Sequence, residues 1–148
     1  MGNVGSYVFR ARVPFDADRI HAFLNGSLPG VIRAKGHFWL ATRPDWVAEF
    51  SLAGALSRVK PLGKWWASLP RERWPEHPQA LDYIRTHWAE PFGDRRQELV
   101  FIGTGIDWPD LRARLEACLA PVAEMADLEG YDRRPDPFPI WRDEREAG

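Results

Sequence analysis

Cysteine is almost absent from this chain: Cys118 stands alone in 148 residues. That excludes an internal disulfide and any zinc knuckle built from paired cysteines, and it fits a reducing, cytoplasmic setting. Histidine is nearly as scarce. His21, His37, His77 and His87 are the full set, and no two stand at the i, i+4 spacing that would put two ligands on one helical face. Long apolar runs are missing as well. None approaches the roughly 20 residues needed to cross a bilayer, and the first residues form no apolar signal region, so no membrane partner is expected. Charge of one sign is not in excess either: 20 basic residues face 21 acidic ones, for a net charge of −1. No general attraction to nucleic acid follows from that balance, and none is expected as a partner.

The motifs of catalysis are also lacking. No G-x-x-x-x-G-K-[ST] loop occurs to cradle phosphates, and Gly103-Thr104-Gly105 between a strand and a helix reads as a simple turn. No serine sits in a G-x-S-x-G elbow. The carboxylates are scattered. Asp94 and Glu98, flanking Arg95, Arg96 and Gln97, read as a capped and ion-paired start to a strand. The residues therefore point to a chain that is not itself an enzyme and holds no cofactor or metal of its own. Cys118 lies on an apolar helical stripe and reads as a buried, inert thiol.

What is present is a regular alternation of elements. Val4 to Val13 reads as a strand with Tyr7, Phe9, Ala11 and Val13 on one face and Arg10 and Arg12 on the other. Asp16 is placed to cap a helix whose stripe is Ile20, Phe23 and Leu24. Val31 to Thr42 alternates again: Ile32, Ala34, Gly36, Phe38 and Leu40 against Arg33, Lys35, His37 and Trp39. Arg43-Pro44-Asp45 reads as a turn, followed by strands over Trp46–Leu52 and Leu56–Leu62. A helix is expected over Pro78–Ala89, with Leu81, Ile84 and Trp88 inward. The unbroken Leu99-Val100-Phe101-Ile102 marks a central strand covered on both faces. Asp107 caps a last helix carrying Leu111, Leu115, Cys118 and Leu119. The order predicts an α+β fold, a mainly antiparallel sheet of about five strands with helices packed mostly on one face. One domain is expected over 1–148, with a core at about 4–120 and an extended proline-rich tail over 121–148.

One constellation stands out. Arg10, Arg12, Arg33, Lys35, His37, Arg58 and Lys60 occupy strand positions facing away from the apolar side. If helices cover only the other face, these residues gather on an open basic surface. Such a face is either simply solvated, with Glu49 and Glu98 as partners, or a docking surface for an acidic protein. Mid-strand Gly36, on the apolar face, is read as permitting close approach of a helix.

Five segments in order carry a family resemblance: Pro14-Phe15, Leu28-Pro29-Gly30-Val31, Arg33-Ala34-Lys35-Gly36-His37-Phe38-Trp39-Leu40-Ala41, Gly63-Lys64-Trp65-Trp66, and Gly93-Asp94-Arg95-Arg96-Gln97-Glu98-Leu99-Val100-Phe101-Ile102-Gly103. The stretch from about Tyr7 to Leu119 resembles the C-terminal domain of CobW-type proteins, GTP-dependent metal chaperones of the P-loop class. The resemblance implies a parent protein whose separate GTPase domain carries the P-loop, a CxCC-type metal motif, GTP and magnesium. Such proteins are implicated in delivering zinc or cobalt and in cobalamin synthesis. None of that chemistry transfers to a residue here. The implied role is that of an accessory, protein-interaction domain, with the N-terminal GTPase domain of the parent or a client metalloprotein as partner. The competing reading is an open-sheet nucleic-acid-binding module, against which stands the lack of an RNP-like K/R-G-F/Y-G/A-F-V-x-F/Y run.

Overall fold

The computed structural model describes residues 4–121 and 135–142. Five strands form one antiparallel sheet: β1 (Val4–Ala11), β2 (Val31–Leu40), β3 (Arg43–Ala53), β4 (Leu56–Lys64) and β5 (Gln97–Thr104), in the spatial order β1-β5-β2-β3-β4. Three α-helices accompany it: α1 (Ala17–Leu24), α2 (Pro78–Thr86) and α3 (Trp108–Glu116). The fold is α+β, as the alternation of periods implies.

Helix starts follow their capping chemistry. Asp16 accepts from the Arg19 N–H at 3.0 Å, and Asp107 accepts from the Asp110 N–H at 3.1 Å. α1 and α3 pack side by side over one face of the sheet. Ile20, Phe23 and Leu24 from α1 and Leu111 and Leu115 from α3 are buried against Phe9, Ala34, Phe38, Phe50, Leu99 and Phe101. α2 lies elsewhere. It sits at one end of the opposite face, where Tyr83 Oη is 3.0 Å from Arg96 Nη2.

The structure departs from the sequence reading at several points. The β2–β3 turn is the pair Ala41-Thr42, not Arg43-Pro44-Asp45, because Leu40 pairs directly with Arg43. Pro44 is tolerated inside β3 because the ladder is already irregular between Phe38 and Leu40. Ile32 does not join the core: a bulge between Val31 and Arg33 turns it out to solvent, and Val31 packs inward instead. β5 is flanked on both sides, yet only its Leu99 face is fully buried; Glu98, Val100 and Ile102 are half-exposed. α2 ends at Thr86, and Trp88 lies beyond it. Gly36, at φ 153°, makes room for a strand and not for a helix, since a Cβ there would collide with the Glu98 carbonyl of β5.

Of the expected tail, residues 122–134 and 143–148 lie outside the described residues. Residues 135–142 run without regular structure back along the core, where Phe138 is buried among Phe38 and His21.

Candidate interaction surface

The sheet face opposite α1 and α3 carries the basic residues, and strand pairing aligns them in rows. One row crosses all five strands as Arg10, Glu98, His37, Glu49 and Lys60. Acid and base alternate along it, and Lys60 Nζ lies 3.6 Å from Glu49. The next row is Val8, Val100, Lys35, Ser51 and Arg58, and the one after it Ser6, Ile102, Arg33, Ala53 and Leu56. Neither contains an acid. Arg33, Lys35 and Arg58 are exposed, and no described carboxylate lies within ion-pair distance of any of them. Leu56, 81% exposed, adds an apolar edge to the same face.

Two of the seven basic positions are placed differently from the rest. Arg12 is half-buried, and its Nη1 donates to the carbonyls of His87, Gly93 and Arg95 at 2.7, 3.1 and 3.4 Å. It ties the end of α2 to the sheet. Its pKa is pushed down by burial and by the Arg96 guanidinium, with Asp94 opposing. His37 is half-buried with its ring 5.9 Å from that of Trp65, and its Nε2 has no hydrogen-bond partner among the described residues. Burial and then Arg96 lower its pKa, with Glu98 opposing, so it is neutral near pH 7. The remaining five, Arg10, Arg33, Lys35, Arg58 and Lys60, project from the open face.

The segment Gly93–Glu98 does structural work that spacing alone did not reveal. Asp94, buried, accepts from the N–H groups of Trp66 and Ala67 at 3.0 and 2.9 Å. Arg95 Nε donates to the Pro44 carbonyl at 2.6 Å and its Nη2 to Ser68 Oγ at 2.8 Å. Arg96 lies over the rings of Trp65 and Tyr83 at 6.0 and 5.9 Å. Gln97 is fully buried and bonds across to Trp39 and Val13. The Asp–Arg–Arg–Gln run is a clamp that gathers α2, the turn after β4 and the β2 end around the start of β5. The signal in the sequence was a dense polar run against an apolar strand, but nothing named the partners.

Among the described residues no group of three or more His, Cys, Asp or Glu side chains is placed to hold a metal ion. No helix there is long and apolar enough to cross a membrane. Cys118 is buried as expected, but α3 ends at Glu116, so the thiol and Leu119 lie just beyond the helix and not on its stripe.

Comparison with known proteins agrees with this architecture. The family model described as the cobalamin synthesis protein cobW C-terminal domain matches residues 4–119. The chain is 35% identical over 145 residues to the zinc chaperone Rv0106 of Mycobacterium tuberculosis, covering 97% of this chain and 36% of that protein. It is 36% identical over 143 residues to the zinc-regulated GTPase metalloprotein activator 1 of Dictyostelium discoideum, covering 94% of this chain and 28% of that protein. The chain thus spans about a third of the length of these relatives. In fold it is similar to the crystal structure of the Zn(II)-bound YjiA GTPase from E. coli, with a TM-score of 0.54 at 17% identity over 79% of this chain and 30% of that one.

Proposed function

The chain belongs to the family of cobalamin synthesis protein cobW C-terminal domains, and from that premise we propose that it is the accessory, protein-interaction domain of a GTP-dependent metallochaperone that passes zinc or cobalt to client metalloproteins. The names of the relatives, a zinc chaperone and a zinc-regulated metalloprotein activator, support zinc first. GTP, magnesium and the cargo metal are then handled by other parts of such a protein, and these residues contribute recognition rather than catalysis. The chain is read as one such domain, with a core at about 4–120 that Phe138, from the segment beyond it, completes. The cytoplasm is the compartment this role implies.

The observation that carries the interaction role is the pair of acid-free rows holding Arg33, Lys35 and Arg58 on an exposed sheet face. Unneutralised like charges weaken a sheet slightly, and an acidic partner surface offsets that cost. The partner is the GTPase domain of the parent protein, a client metalloprotein, or each in turn.

The test is the double variant Arg33→Glu, Lys35→Glu. It leaves the thermal melt nearly unchanged, because both side chains are exposed and neither makes a hydrogen bond or ion pair to a described residue, and it weakens association with the GTPase domain or client. Wild-type association declines with added salt. Equal binding by variant and wild type overturns the docking role, and salt-dependent binding of single-stranded oligonucleotides at this face favours the nucleic-acid reading instead.

A further inference from the structure

Where the sheet meets the end of α2, Arg10, Arg12, Arg96, His87, Gln97 and Glu98 line a cleft of about 370 Å³. Its lining thus holds three arginines and one acidic residue, Glu98. Two of the arginines are already fixed. Arg96 uses all three of its nitrogens, on Glu98, the Asp94 carbonyl and the Tyr83 hydroxyl. Arg12 uses only Nη1, on three carbonyls, which leaves its Nε and Nη2 without a partner among the described residues. Arg10 is exposed and makes no side-chain hydrogen bond or ion pair to a described residue.

We infer that this cleft seats a single carboxylate, an Asp or Glu side chain of the docking partner, and that it is the anchor of the basic face. The inference rests on the docking role proposed above. Arg12 is held rigid and presents unused donors, so little ordering is lost when a ligand binds. Arg10, beside it on β1, supplies a free planar fork suited to a bidentate carboxylate. Burial and the neighbouring Arg96 both act against the charge on Arg12, so a bound anion relieves a repulsion the fold otherwise carries. Glu98 in the lining limits the favoured ligand to one negative charge; a phosphate dianion meets it at a penalty.

The probe is hexaglutamate, titrated into the domain at low ionic strength and followed through the arginine Nε–H resonances. The expected result is a saturable shift at Arg10 and Arg12. Arg10→Gln should raise the dissociation constant about tenfold, as expected for loss of a charge-assisted fork. Arg58→Gln, at the far side of the sheet, should raise it by about twofold or less, as expected for a screened, distant charge. The thermal melt of Arg10→Gln stays at the wild-type value, since that side chain holds nothing in place. Equal losses from Arg10→Gln and Arg58→Gln overturn the anchor and leave a diffuse docking face standing. Absence of hexaglutamate binding overturns anchor and docking face together. Displacement of the peptide from the cleft by an equal concentration of inorganic phosphate overturns the assignment to a carboxylate.

Discussion

Gln97 and Trp39 exchange two hydrogen bonds across neighbouring strands: the Trp39 N–H donates to Gln97 Oε1 at 2.7 Å, and Gln97 Nε2 donates back to the Trp39 carbonyl at 3.1 Å. The side chain continues the β2–β5 ladder past its last backbone pair, His37 with Glu98. Gln97 Nε2 also reaches the Val13 carbonyl at 2.9 Å, so one amide closes three strand ends. Gln97→Leu keeps the volume and strands a buried Trp39 N–H. It should cost about 2–3 kcal/mol by equilibrium denaturation. A loss below about 1 kcal/mol, the range of an ordinary surface change, would show that water reaches the site.

Much of the fold was legible before any coordinates. Phe9, Phe38 and Leu111 announce their faces by period, and Asp16 and Asp107 announce helix starts by position, whereas the unbroken Leu99–Ile102 run hid that only one of its faces is fully buried. What stayed hidden was of one physical kind: long-range polar partnership. Nothing local to Arg12 says that its guanidinium ends on carbonyls near residue 90. A bulge such as that at Ile32 exchanges Val31 for Ile32 on the inner face without a sequence mark, because β-branched residues suit either side of a pleat. The basic face was readable in types and not in rows. Register alone showed that Glu98 and Glu49 serve the row of His37 and leave those of Lys35 and Arg33 without an acid.

Gly36→Ala should be among the most damaging single changes. Gly36 at φ 153° faces the β5 backbone, and a Cβ would overlap the Glu98 carbonyl oxygen and crowd Leu99 Cα. Both neighbours are backbone in the interior of the sheet and have no rotamer to yield. The expected cost is about 3 kcal/mol or more, or failure to accumulate as soluble protein. A variant that melts within a few degrees of wild type would mean that β2 and β5 can separate cheaply.

Cys118 should be an unreactive thiol. Its Sγ lies 3.3 Å from the Arg114 carbonyl oxygen, and burial pushes its pKa up to about 11, with Arg19 and Arg114 opposing. In the unfolded chain the thiol ionises near the ordinary value of about 8.5. Between these two values the folded state holds the proton more tightly, so stability falls as pH rises. The wild-type melt should drop more steeply than that of Cys118→Ala from pH 8.5 to 10.5. Labelling by a disulfide reagent at pH 8 should be at least about 100-fold slower in native than in denatured protein. Equal labelling rates would place the thiol at the surface.

The Arg43–Asp136 pair fastens the returning segment to the β2–β3 turn. Arg43 Nε and Nη2 meet the two Asp136 oxygens at 2.8 and 2.9 Å, the Thr42 hydroxyl donates to the same carboxylate, and the Phe138 N–H caps it at 3.0 Å. The Arg43 guanidinium also lies 4.5 Å from the centre of the Trp141 ring. Burial by itself raises the Asp136 pKa, but the bonds from Arg43, Thr42 and Phe138 outweigh it and hold the carboxyl below its usual range. The pair is partly screened, with both side chains 15% exposed, and a two-pronged charged contact of this kind contributes about 1–3 kcal/mol. A carboxyl with a depressed folded pKa adds stability above its unfolded value, near pH 3.9, and loses it as pH falls through the folded one. Asp136→Asn should therefore melt below wild type at pH 7, and the gap should close on acidification below about pH 4. Arg43→Ala should release Trp141 from the guanidinium and from the Trp46 ring it packs against, and shift the tryptophan fluorescence to the red, with Trp39 unchanged in burial. If the gap between Asp136→Asn and wild type is the same at pH 3 as at pH 7, the ion pair contributes nothing and Phe138 alone anchors the segment.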